Sequence, residues 1–99
     1  MANILTIQEA LAAVKRDEDY DNEISEILNS IDSEIEVATG LRWQDRDPVN
    51  PIAKSAARIK LQVETGIVPD DERSERRITY RIKQLQAVAL GEANNGGTN

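Results

Sequence analysis

One run of residues limits the possible folds more than any other. Ile24, Ile27, Leu28, Ile31, Ile35 and Ala38 recur at intervals of three and four, and they fall in a stripe less than ~100° wide when wound at helical pitch. Glu23, Glu26, Asp32, Glu34 and Glu36 occupy the other faces. A segment patterned this way cannot sit in a sheet, where apolar positions alternate, so it predicts a helix over about 20–39 that is apolar on one side and acidic elsewhere. Gly40 stands where a left-handed residue would end it.

Three further helices follow from similar signals. Thr6 with Glu9 is a reciprocal capping pair, and Ile7, Ala10, Leu11 and Val14 give a first helix over about 7–15. Asn50 before Pro51 pairs an N-cap with a proline in the first turn. Ile52, Ala56, Ile59 and Val63, with Ala53 and Ala57 beside them, extend a third helix over about 51–65, stopped by Gly66. Ile78, Ile82, Leu85 and Ala89 mark a fourth over about 73–90, with Gly91 as its stop. Between the second and third, Leu41 to Asn50 is a polar loop whose Trp43 is expected to close one end of the core. Residues 92–99 carry no apolar periodicity and are expected to form a disordered tail. The expected fold is therefore all-α, a small bundle of four helices forming one domain over residues 1–91.

Composition decides what such a bundle can do. With 99 residues, no Phe, one Trp and two Tyr, the core is thin, and association with other chains is a physically sensible way to finish burying it. There is no His and no Cys, which removes the commonest general base, the commonest nucleophile and the usual transition-metal ligands. Asp17, Asp19 and Asp21 match the first ligand positions of a calcium-binding loop. The position that needs Gly is Asn22, however, and the one that needs a bidentate Glu is Leu28, so a solvated capping turn is the better reading. The glycines sit at helix ends or in the tail, and none builds a phosphate loop. No enzyme, cofactor or metal is expected. No apolar run is long enough to span a membrane and no export signal opens the chain, so a soluble, unexported protein is expected.

Charge is unevenly divided. The net charge is −6, yet residues 1–47 hold four basic side chains against twelve acidic, and residues 48–99 hold eight against six. On the fourth helix Arg73, Arg76, Arg77, Arg81 and Lys83, with Tyr80 among them, spread over the side opposite Ile78 and Ile82. Three readings of this face stand side by side. It is a solvated surface, a contact for an acidic surface such as the outer face of the second helix on a neighbouring subunit (Glu23, Glu26, Glu34), or a nucleic-acid tracking face. The acidity of the rest of the chain opposes the last. Trp43 has two readings, a core plug or a partner contact.

The order of features carries a resemblance. Leu5-Thr6-Ile7-Gln8-Glu9-Ala10, then Asp17-Glu18-Asp19-Tyr20-Asp21 leading into Ile24, then Ala38-Thr39-Gly40-Leu41-Arg42-Trp43, resembles the head-tail connector family of long-tailed bacteriophages. In that family an opening capped helix leads through an acidic turn to a long amphipathic helix, which closes on a Thr-Gly turn with an aromatic. The match covers roughly residues 4–43. The chain departs from the pattern between Trp43 and Pro51, where many members carry a longer segment with strand-like pairing and only Gln44 to Asn50 stand here.

The resemblance implies a non-enzymatic DNA-packaging adaptor, made in the bacterial host cytoplasm and resident in the virion. Copies of the chain would form a ring, dodecameric by the resemblance, beneath the portal protein. The ring would meet a head-completion or tail protein below and let DNA pass without specific binding. Unlike charged halves suit a heterologous contact that closes by rotation, and a net-negative wall would not hold DNA. The alternative from a different class is a small helical DNA-binding regulator that reads with the basic fourth helix.

Overall fold

The computed structural model describes residues 2–97, with side chains described as far as Ala93. It is all-α among those residues. Helix α1 spans Ile7–Val14, α2 Asp21–Thr39, α3 Pro51–Glu64 and α4 Glu72–Gly97, with short 3-10 turns at Glu18–Tyr20 and Trp43–Asp45. None of these helices is long and apolar enough to cross a membrane.

The ends form for the local reasons that the residues suggest. Thr6 Oγ1 accepts from the Glu9 amide at 3.1 Å while Glu9 Oε1 accepts from the Thr6 amide at 2.9 Å, which completes the capping box of α1. The Thr6 amide, with Lys54 beside it, holds the Glu9 carboxyl below its ordinary pKa. Gly40 (φ 81°) closes α2, and Gly66 (φ 80°) follows α3. Asn50 Oδ1 accepts from the Ile52 amide at 2.8 Å at the start of α3, and Asp71 Oδ1 accepts from the Ser74 amide at 3.0 Å at the start of α4. The acidic turn behaves differently from the simplest expectation. Asp17 caps the 3-10 turn through the Asp19 amide, and α2 begins without a side-chain cap, with Asp21 and Glu23 in its first turn.

Helices α2 and α3 form the centre. Each packs on the other, and both contact α1 and α4. Ala53, Ala56 and Ala57 on α3 are fully buried and permit close approach, while Leu61, outside the expected stripe, also reaches the core. Ile24, Leu28, Ile31 and Ile35 supply the α2 side as expected, with Ile27 partly buried. Ala38 is exposed at the last turn of α2, where its carbonyl accepts from Gln86 Nε2 at 2.9 Å. On α4 the expected line narrows to one fully buried residue, Leu85, with Ile82, Val88 and Ala89 packed partly against the core.

Three differences from the sequence reading have physical causes. Helix α4 passes through Gly91, where an added β-carbon would meet nothing within 4 Å, and continues to Gly97. Arg46 holds its course by a two-pronged contact with Glu92, at 2.6 Å for both bonds. The remainder of the expected tail, 98–99, lies outside the described residues. Second, Ile4 and Leu5 are buried ahead of α1. Third, Asp32 belongs inside, at 3% exposure, and not with the acidic faces. Its Oδ2 accepts from Asn3 Nδ2 at 2.7 Å and from the Ile4 amide at 3.3 Å, tying the N-terminal segment to α2, while its Oδ1 has no partner.

Burial pushes the Asp32 carboxyl above its ordinary pKa, against the lowering effect of the Asn3 and Ile4 hydrogen bonds. The folded chain therefore binds this proton more tightly than the unfolded chain. Charged Asp32 costs no folding stability below its unfolded pKa, and the cost grows as pH rises from there through the folded pKa. Asp32→Asn removes the titration. Denaturant unfolding at a series of pH values should show wild type losing stability relative to Asp32→Asn as pH rises through this window, and a pH-independent difference would contradict the assignment.

Candidate functional site

Helix α4 presents its basic face outward because Ser74, Ile78, Ile82 and Leu85 turn the other side toward α2 and α3. Ser74 is buried, with its Oγ donating to the Pro69 carbonyl at 2.8 Å. Arg73, Arg76, Arg77, Tyr80 and Arg81 line one shallow depression of about 360 Å³. Tyr80, at 58% exposure, is among the few large apolar side chains left in solvent. The Arg81 guanidinium lies 5.4 Å from the Tyr80 ring centroid, and its Nε donates to Ser55 Oγ on α3 at 3.0 Å. Arg81 is thereby fixed to the bundle. Arg73, Arg76, Arg77 and Lys83 form no ion pair among the described residues, so their charge is available to something outside the chain.

The acidic candidates separate into different roles. Glu34 pairs with Lys60 at 2.9 Å and helps to bind α2 to α3, and Glu23 approaches Arg16 at 3.7 Å. Glu26 is exposed and makes no ion pair among the described residues. The acidic outer face of α2 is thus partly spent on internal contacts.

A second acidic feature was not legible from the sequence. Between α2, α3 and α4 lies a groove of about 310 Å³ whose lining mixes Ile27, Ile31, Val63 and Ile78 with Ser30 and Thr79. Glu34, Glu64, Asp70 and Glu75 stand around it, with Lys60 as the one basic residue in its lining. Glu64, Asp70 and Glu75 are exposed and form no ion pair among the described residues. The groove draws on separate helices and the α3–α4 connection, so no spacing along the chain announces it.

Trp43 lies inside the fold. It has no exposed surface, its Nε1 donates to Thr39 Oγ1 at 2.8 Å, and the Arg46 guanidinium covers the ring at 4.9 Å. This removes it from the candidate contact surface and makes it the core plug. Arg46 reaches from the indole to Glu92, and that contact draws the Glu92 carboxyl below its ordinary pKa. The Thr39-Gly40-Leu41-Arg42-Trp43 string is therefore a closure, since Thr39 Oγ1 also donates to the Ile35 carbonyl at 2.8 Å.

Compared with known proteins, the chain matches no family model, no curated protein and no solved structure.

The two kinds of residue predict opposite mutational behaviour. Replacing Arg76 and Arg77 together by Ser should change the unfolding free energy by less than about 1 kcal/mol, because neither forms an ion pair among the described residues. Thr39→Val should cost about 1–3 kcal/mol by leaving the buried indole N–H without an acceptor. Thermal or denaturant unfolding of the variants checks both.

Proposed function

We propose that the chain is a subunit of a head-tail connector ring of a long-tailed bacteriophage, seated beneath the portal, extending the DNA channel and meeting a head-completion or tail protein. The role is structural and involves no reaction. The observation that carries this reading is the free basic face of α4, Arg73, Arg76 and Arg77 around exposed Tyr80, on a chain that is otherwise acidic. Such a face favours an acidic protein surface over phosphate, because the chain's own field repels nucleic acid.

The motifs behind the resemblance support it in a second way. Thr6 and Glu9 cap α1, Asp17 caps the turn before α2, and Thr39 with Trp43 closes α2. Residues that set helix ends and the angles between helices suit a shared scaffold that is built for assembly.

The exposed Tyr80 among arginines also favours one other reading, a DNA-binding regulator. Two measurements separate them. Cosedimentation with a portal assembly of a long-tailed phage should retain the protein, and duplex DNA should not be retarded even at ~50 mM salt. Retardation that falls steeply with salt and disappears in Arg77→Glu/Arg81→Glu, without portal binding, would replace the connector reading with the regulator.

A further inference from the structure

Helix α4 carries two unlike features at the same height. On one side Glu75 and Ile78 border the acid-rimmed groove, and on the other Arg76, Arg77 and Tyr80 form the basic knob. At helical pitch Tyr80 lies roughly 160° around the axis from Ile78, so the ring and the isoleucine stand on different sides of α4, while Glu75 and Thr79 at the groove's edge adjoin Arg76 and Tyr80. Their chemistry is complementary. The groove offers partly buried isoleucine and valine below the unpaired carboxylates of Glu64, Asp70 and Glu75, and the knob offers an exposed aromatic ring beside the unpaired guanidiniums of Arg73, Arg76 and Arg77.

We propose that the groove between α2, α3 and α4 is the docking socket for the Tyr80 knob of a second copy of this chain. The idea rests on the connector reading only in that copies meet one another, and it specifies how. Tyr80 enters over Ile27 and Ile78, where an aromatic side chain gains most from leaving water, and the arginines meet the carboxylate rim. Knob and socket are different patches centred on different sides of α4, so the contact joins unlike surfaces. The contact is heterologous and leaves a free knob at one end and a free socket at the other. Both features use the same first turns of α4, and a contact of this kind closes into a ring where the rotation between neighbours permits it and grows as an open filament where it does not.

The test uses two variants of the full chain in sedimentation velocity. A knob-deficient chain carries Arg76→Ser, Arg77→Ser and Tyr80→Ser, and a socket-deficient chain carries Glu64→Lys and Glu75→Lys. All five positions are exposed, and unfolding curves report that each variant is folded. Wild type should gain mass with concentration and lose it with added salt, as screening weakens the rim pairs. Each variant alone should remain a monomer, and their equimolar mixture should stop at a species of two chains, one knob in one socket. Tyr80→Ala alone should weaken wild-type association about tenfold.

Three results would overturn the proposal: wild type monomeric up to ~1 mM, either variant associating as wild type does, or a mixture that stays monomeric. Portal binding with a monomeric mixture removes this contact and leaves the connector reading. A two-chain mixture without portal binding keeps the contact and removes the connector reading.

Discussion

The fold depends on how closely α3 can approach its neighbours. Ala53, Ala56 and Ala57 are fully buried on α3, the helix that packs on α1, α2 and α4, so its backbone can come close to neighbours in a core with no Phe. A larger side chain at any of these positions would push helices apart, with overpacking costs of about 1–3 kcal/mol. Polar ties then fix the angles that this packing permits. Glu9 meets Lys54 between α1 and α3, Glu34 meets Lys60 between α2 and α3, and Arg81 meets Ser55 between α4 and α3. Every helix is thereby referred to α3, and the groove and knob keep a defined separation across α4.

The helices were legible because their signals are local. A capping pair, an Asn-Pro start and a six-residue apolar stripe each act within a few turns, and Thr6, Asn50 and Ile24 to Ile35 do in the fold what their spacing implies. What escaped depends on distant partners. At helical pitch Asp32 falls about 40° beyond the edge of the α2 stripe, so the pattern groups it with the acidic faces and does not announce its internal partner. That partner, Asn3 with the Ile4 amide, lies in a segment with no helical pattern. Gly91 reads as a stop because glycine weakens helices, but Arg46, far away in sequence, grips Glu92, the residue that follows it.

The candidate site was half legible. The arginines and Tyr80 share one helix, so their common face follows from pitch alone. Its acidic counterpart is assembled from Glu34, Glu64, Asp70 and Glu75, which are scattered through the chain and mingled with charges already committed to internal pairs. Burial also separated Trp43 from the surface. Its ring edge donates to Thr39, Arg46 lies over a face, and the side chain has no exposed surface left for a partner.

The position of that indole has a spectroscopic consequence. Trp43 is the chain's single tryptophan, and the guanidinium stacked on it is held at its other end by Glu92. Any event that lifts the distal part of α4 must pull Arg46 off the ring or break its grip on the carboxylate. Intrinsic fluorescence of the unmodified protein thus reports on a helix that carries no fluorophore of its own in that region, with no label attached and no residue exchanged.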